Sequence, residues 1–536
     1  MDCITQRIPY HETGYFSKIV LDYLGQEAPL RPFYLHTPDL DGIRSSLEAR
    51  RRYPTNRQLL ADELSDQYRG LETHPAVRKQ IESLRSPNTF TVTTAHQPNL
   101  FTGPLYFIYK ILHTIRLAAY LEQALPGHHF VPVYYMGSED ADLDELGHIN
   151  LEGERLTWHT SQTGAVGRMR VDKELLALIS RMEGQLGGLP HGPEVLGMIR
   201  AAYREGIAIQ DATFHLVHAL FGAYGLVVLI PDRASLKRVM IPVFEQDLLE
   251  QQPSSLVHAT SGRLGQAYKV QAHPREINLF YLEGGIRQRI EADRGEYRVV
   301  NSDLRFSRED LVALLQSHPE RFSPNVILRG LFQETILPNV AFIGGGGELA
   351  YWLELKDLFA HYEVPYPVLL LRNSFLIVPQ VWRIRMDKLG LDPVAFFQPE
   401  TDLLNQLVRR NSAEAVALDN PLREAGDFYA HLKEKAASVD PTLGQHVEAL
   451  RARALHQLRE LEKKLLRAER RRYSDQQRQI RAIREHLFPG KSLQERTENF
   501  ASFYGRWGRE LIECLYEKAD PLGQEFIILE ETGAGV

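Results

Sequence analysis

The sequence predicts an α/β protein: a doubly wound parallel sheet interrupted by two long insertions and followed by a helical coiled-coil domain. Three observations carry this. Five short β-branched or apolar runs, at 89–95, 130–136, 225–230, 340–343 and 366–371, each lie beside a helical pattern. Two intervening stretches, near 147–222 and 252–324, far exceed an ordinary crossover. Beyond residue 380 the composition turns to Arg, Glu, Leu and Gln, with apolar residues at three-four spacing.

Residues 1–85 read as helices with half-apolar faces and an Arg50, Arg51, Arg52 patch, a region packing on the core. The core, 86–379, opens with a βαβ unit. Leu105, Ile108, Leu112 and Ile115 recur at helical spacing, Pro104 stands where that helix starts, and Pro126-Gly127 where it stops. The second insertion carries strand-like runs near 277–281, 286–290 and 297–299, then a helix opened by Ser307 with Asp310 as its capping partner. That reads as a small α+β module over the sheet. In the helical domain, 380–510, the residues Leu443, Val447, Leu450, Ala454, Leu458, Leu461, Leu465 and Ala468 form a coiled-coil seam that ends at Pro489-Gly490. The last segment, 511–536, holds a strand-like piece at 525–529 that returns to the core.

A chain of 536 residues with 62 Lys and Arg against 69 Asp and Glu has no global attraction for nucleic acid or acidic membranes. Any anion site is local. The longest apolar runs, 226–230 and 368–371, are too short to span a bilayer, and residues 1–10 lack a signal core, so a cytoplasmic protein is expected. Two cysteines, Cys3 and Cys514, make neither a disulfide framework nor a thiolate zinc site and are expected to be inert thiols. His215 and His218 lie three apart without an evident third ligand, so no metal site is expected. The basic run around Arg470, Arg471 and Arg472 lacks interleaved aromatics and reads as a solvated helix face.

Four segments can carry chemistry. The turn after the first strand contains His96, Gln97, Asn99, Thr102 and Gly103, where parallel sheets place anions, although it holds neither a Walker loop nor GxGxxG. Ser138, Glu139, Asp140 and Asp142 follow the second strand; carboxylates there can bind an amine and take its proton. Gly344, Gly345, Gly346, Gly347 and Glu348, with Tyr351 one turn on, follow another strand, and four glycines allow backbone conformations and ligand approach closed to other residues. Arg329 and Gln333 share a helix face, and Arg372, Asn373 and Ser374 end the last strand; arginine is the natural fork for carboxylate or phosphate.

In order, TAHQPNLFTGPLYFIYK, PVYYMGSEDADLDE, FSPNVILRGLFQETILPNVAFIGGGGELAYW, LLLRNS and LFPGKSLQER resemble the bacillithiol biosynthesis cysteine-adding enzymes, also called cysteine ligases, over nearly the whole chain. The resemblance implies a Rossmann-type core with connecting modules, a coiled-coil domain associated with dimerisation, and amide formation between cysteine and glucosaminyl malate. Ala141 stands where that family's acidic loop usually has His: if that histidine is an essential base, His96 is the substitute here, and if it only orients a neighbour little changes; Gly330 and Gly346 replace frequent prolines. Amide formation needs an activated carboxyl group, so ATP or ADP, with or without Mg²⁺, is expected; zinc is not. The expected catalytic residues are His96, Glu139, Asp140 and Asp142, and the other residues named above bind substrate or nucleotide. The alternatives are a nucleotidyl or sugar-phosphate transferase on the same fold and a non-catalytic coiled-coil assembly protein.

Overall fold

A computed structural model describes residues 2–411 and 418–533. Met1, the part of the expected helical domain at 412–417 and the part of the C-terminal segment at 534–536 lie outside the described residues. The chain forms two compact units, one running to Leu376 and including Ser492–Leu529, the other comprising Ile377–Lys491 and Glu530–Gly533. The expected helical domain therefore divides at Lys491, and the helices from Gln494 to Lys518 fold with the first unit.

In the first unit all five anticipated runs are strands: β1 (Thr89–His96), β2 (His129–Met136), β3 (Val227–Leu229), β4 (Asn339–Gly344) and β5 (Val368–Leu371). They pair in parallel in the order β5-β4-β1-β2-β3. The strand order reverses between β1 and β4, and the crevice beyond the carboxyl ends of such a switch point is where these sheets bind ligands. Phe90 and Val92 of β1 join Leu117 and Leu121 of α1 (Tyr106–Ala124), Ile43, Leu47, Ile343 and Leu370 in one buried cluster. The alternate residues Thr91 and Thr93 are also buried, but their hydroxyls donate to Asn339 Oδ1 at 3.2 and 2.8 Å, which explains a polar strand in a dry sheet.

The second insertion is a five-stranded antiparallel module whose strand Ile286–Asp293 reaches the cavity described below. The Ser307 hydroxyl accepts from Asp310 N and donates to its carboxylate, as the spacing predicts. After helices α2 (Val326–Ile336) and α3 (Gly346–Trp352), the C-terminal strand Glu525–Glu531 lies beside Cys3–Pro9.

In the second unit, α4 (Asp419–Val439) and α5 (Leu443–Arg470) form a helical hairpin, with Lys433 paired to Glu448. Only part of the expected seam is used here. Val447 is buried and Ala454, Leu458 and Leu465 are half-buried, whereas Leu443, Leu450 and Leu461 remain exposed.

Candidate active site

A cavity of about 800 Å³ opens over the carboxyl ends of β1, β2, β4 and β5, within the size range of small-molecule sites. Eleven of the residues singled out in the sequence line it: His96, Gln97, Glu139, Asp140, Arg329, Gly345, Gly346, Gly347, Glu348, Tyr351 and Arg372. These come from five segments of the chain, 96–97, 139–140, 329, 345–351 and 372, brought together by the parallel sheet.

Nine others do not line it. Asn99, Thr102 and Gly103 are the inner face of the turn before α1. Phe101, Thr102 and Gly103 all have positive φ, and a Cβ on Gly103 would lie 2.7 Å from that of Asn99. This strained turn is held from outside: Asn499 Nδ2 donates to the Phe101 and Gly103 carbonyls, and Leu105 N donates to the Glu498 carbonyl. Ser138 is fully buried and its carbonyl accepts from Gly167 N. Asp142 is exposed and caps the helix Leu143–Leu146 by accepting from Glu145 N, so it is a capping residue rather than a cavity acid. Gln333 is fully buried and donates to Glu334 Oε1, while Val326 and Arg329 are the residues of α2 that line the cavity. Gly344 ends β4, where a Cβ would meet Phe342 and Glu348. Asn373 accepts from Asp520 N, and the Ser374 hydroxyl is tied to Glu495.

The glycine turn is also different in kind from the expectation. None of Gly344 to Gly347 has positive φ; they are a strand end, a cap and the first turn of α3. Their smallness serves close approach instead: a Cβ on Gly346 would touch Val20 at 3.0 Å, whereas one on Gly347 would meet nothing within 4 Å. Glu348 closes the helix start by accepting from Gly345 N at 2.8 Å and from Lys110 Nζ. Lys110, buried in α1, also donates to the Ala95 carbonyl at 2.6 Å, and burial pulls its pKa down.

Two further expected groups prove to be already paired. Arg372 makes a two-pronged ion pair with the buried Glu495, at 2.7 and 3.0 Å. Glu139 is bound to the buried Lys237, which also holds Asp232 at 2.9 Å, and Asp232 takes a two-pronged contact from Arg168. Burial raises the Glu139 carboxyl against the pull of Lys237. Glu139 is thus a wall residue of a buried ion network, and Asp140 is the accessible acid beside it. Asp140 accepts from Gln97 Nε2 at 3.2 Å. Glu145 joins it on the cavity wall, its carboxyl raised by burial and by Asp140 and Asp142.

The cavity also carries cations. Arg329 donates through Nη2 to the Tyr351 hydroxyl, and its buried Nη1 has no partner. Arg287, half-buried on the inserted module, and Arg496, exposed at the cavity, also line it; desolvation lowers the pKa of both, and the Arg372 charge adds to this at Arg496. A buried cation short of counter-charge is relieved by a bound anion. His96 sits between these groups, edge-on to Tyr106 at 5.3 Å, with Nε2 buried and unpartnered. Burial and the Lys110, Arg372 and Arg329 charges hold it well below the usual histidine range, so it is neutral and can accept a hydrogen bond or a proton once an anion offsets those charges. Burial likewise pushes the Tyr106 and Tyr351 hydroxyls up to about 12.

Sequence reading missed Lys110, Lys237, Arg287, Glu495 and Arg496. A lone lysine in the apolar run YFIYKILHTI was the one local signal available. Among the described residues no cluster of three His, Cys, Asp or Glu side chains is placed to hold a metal ion.

The family descriptions that match are "Bacillithiol biosynthesis BshC, N-terminal Rossmann-like domain" over residues 3–373 and "Bacillithiol biosynthesis BshC, C-terminal coiled-coil domain" over residues 375–531. The chain belongs to the BshC family of bacillithiol biosynthesis. Similar BshC proteins, each named "Putative cysteine ligase BshC", occur in Flavobacterium psychrophilum, 37% identical over 99% of this chain and 99% of that one, and in Flavobacterium johnsoniae, 38% identical over 98% and 99%. The Salinibacter ruber BshC is 32% identical over 95% of both chains. The Rossmann-like core and coiled-coil region of the BshC family are the parallel sheet and the helical hairpin seen here.

Glu498, whose carbonyl supports the turn before α1, gives the first testable consequence. Burial and the nearby Glu152 raise its pKa from 4.5 to about 7. A raised carboxyl favours the protonated fold, so its stabilisation is present below the unfolded value of 4.5 and is lost as pH rises through about 7. Glu498→Gln is expected to match wild type in denaturant unfolding near pH 4 and to exceed it at pH 8 by about 2 kcal/mol, after allowing for partial solvent screening. A difference independent of pH would refute the assignment.

Proposed function

We propose that this chain is a cysteine ligase that joins the carboxyl group of cysteine to the glucosamine amine of glucosaminyl malate. The observation that carries this reading is one cavity lined both by acids, Asp140 and Glu145, and by cations, Arg287, Arg329 and Arg496. Membership of a family whose relatives are named cysteine ligases supports cysteine as one substrate; acids and cations in one cavity suit a partner that carries both ammonium and carboxylate groups. Asp140 binds the ammonium and takes its proton as the amine becomes nucleophilic, with the neutral His96 as second acceptor. The arginines hold the malyl carboxylates and the anionic charge that develops at the cysteine carboxyl group.

A carboxylate does not form an amide in water without activation, and ATP with Mg²⁺ supplies it in this reading. The orphaned Arg329 Nη1 and the under-compensated Arg287 and Arg496 fit a polyanion. The thiol of cysteine is recognised without zinc. Among the described residues no helix is long and apolar enough to cross a membrane, and we place the enzyme in the cytoplasm. Incubating the purified protein with glucosaminyl malate, cysteine and ATP and identifying every product by mass is the test. An amide-linked thiol with ADP or AMP is expected; a nucleotide-transfer product, or none, would overturn the reading.

The homodimer belongs to the same proposal. Leu443, Leu450 and Leu461 lie seven and eleven residues apart, on one stripe of α5, and are exposed. A second copy covers them. Replacing both Leu450 and Leu461 by Asp is expected to halve the mass measured by light scattering, and an unchanged mass removes the claim.

A further inference from the structure

The sequence has two cysteines, and the fold puts them together: Cys3 Sγ and Cys514 Sγ are 2.7 Å apart across 511 residues of chain. The sequence expectation is of two inert thiols; the fold makes them neighbours. Cys3 opens the strand Cys3–Pro9 and is half-buried; Cys514 is buried in the helix Arg509–Lys518.

We propose that Cys3 and Cys514 form a reversible dithiol–disulfide site that reacts with low-molecular-weight disulfides and, when oxidised, ties the first strand to the last helix. The Cys3 thiolate attacks one sulfur of an external disulfide, RSSR, forming a mixed disulfide and releasing RS⁻, which takes up a proton. Cys514 then loses its proton and attacks the Cys3 sulfur, displacing the second RS⁻, which is protonated in turn. One RSSR is reduced to two RSH while two protein thiols become one disulfide.

The surroundings set this order. Cys3 is reachable from solvent, whereas burial and the neighbouring Cys3 sulfur push the Cys514 thiol up to about 12, which suits it to the second, intramolecular attack. A reducing compartment keeps the pair as thiols, so the bond forms when low-molecular-weight disulfide accumulates. The tie has a structural target. The first strand leads into Tyr10, whose hydroxyl donates to the Arg372 carbonyl at 3.3 Å. The last helix leads into Asp520, whose N–H donates to Asn373 Oδ1 at 3.1 Å. A Cys3–Cys514 bond therefore braces, from both chain ends, the segment that carries Arg372 to the cavity. This inference rests on the thiol geometry and is independent of the amide-forming reaction.

The full-length protein, first reduced, is equilibrated with mixtures of reduced and oxidised glutathione, quenched in acid, alkylated and mapped by mass. Wild type is expected to become two hydrogens lighter, with the Cys3 peptide joined to the Cys514 peptide, and to return to the dithiol with dithiothreitol. Cys514→Ser should retain one glutathione on Cys3, and Cys3→Ser should stay unmodified under the same mixtures. Oxidised wild type should melt higher than reduced by about 3 °C, because the closed loop spans almost the whole chain. Wild type that keeps two alkylatable thiols, stops at the mixed disulfide, or links only between molecules overturns the proposal.

Discussion

Arg329→Gln is expected to weaken binding of glucosaminyl malate by on the order of 100-fold, measured by calorimetry, with product formation falling in parallel. The side chain is half-buried on the cavity wall, Nη2 is committed to Tyr351, and the buried Nη1 has no partner in the protein. A buried donor left unmet in the free enzyme becomes strongly favourable when a carboxylate or phosphate oxygen fills it. Glutamine keeps a hydrogen-bonding stem but loses both the charge and the fork. Arg329→Lys should recover part of the affinity, since it restores charge without two-pronged geometry. Wild-type affinity in a folded Arg329→Gln variant would remove the cations from the proposed site.

The second large effect is on stability. Lys237→Met is expected to cost about 3–5 kcal/mol in chemical denaturation near neutral pH, because it leaves Glu139 and Asp232 buried beside each other with Arg168 and the longer-range charge of Arg287 as the remaining cations. The pH dependence follows from the directions of the shifts. In wild type the Lys237 pKa is raised, so its stabilisation is complete below the unfolded lysine value of 10.5 and is lost only as pH rises through the higher folded value. Without that cation, burial and mutual repulsion raise the Glu139 carboxyl further. The loss should then shrink toward pH 4, where Glu139 is protonated, and grow above it. Adding Glu139→Gln to Lys237→Met should return a large part of the stability. A single variant as stable as wild type at pH 8 would show that the network carries no such load.

The acidic loop illustrates how far sequence reading reached. SEDAD after a buried strand correctly pointed to the ligand edge of the sheet, yet three neighbouring acids have three different fates. Asp142 turns outward to cap a short helix, Glu139 lines the cavity but is held by the buried Lys237, and Asp140 lines it beside Gln97. The strand ends at Met136, and the following residues turn sharply, with Gly137 N bonded back to the His96 carbonyl. Residue-by-residue alternation therefore does not continue into the loop. The glycine run gave the right location for the wrong reason: close packing of α3, and not unusual dihedrals, requires the small residues.

The sequence by itself determined the five parallel strands, the capped helices between them, both insertions and the set of loops at the carboxyl edge. These are written in local periodicity, in β-branching and in turn and capping residues, all of which act within a few positions. Only the tertiary structure decided which charges are free. Glu139, Arg372 and Lys110 find their counter-ions 98, 123 and 238 residues away, at Lys237, Glu495 and Glu348. A side chain's charge, protonation and availability to a ligand depend on burial and on whichever opposite charge the fold brings within hydrogen-bonding distance. No local pattern encodes that distance, so the same arginine or glutamate reads alike in sequence whether it awaits a substrate or is already paired.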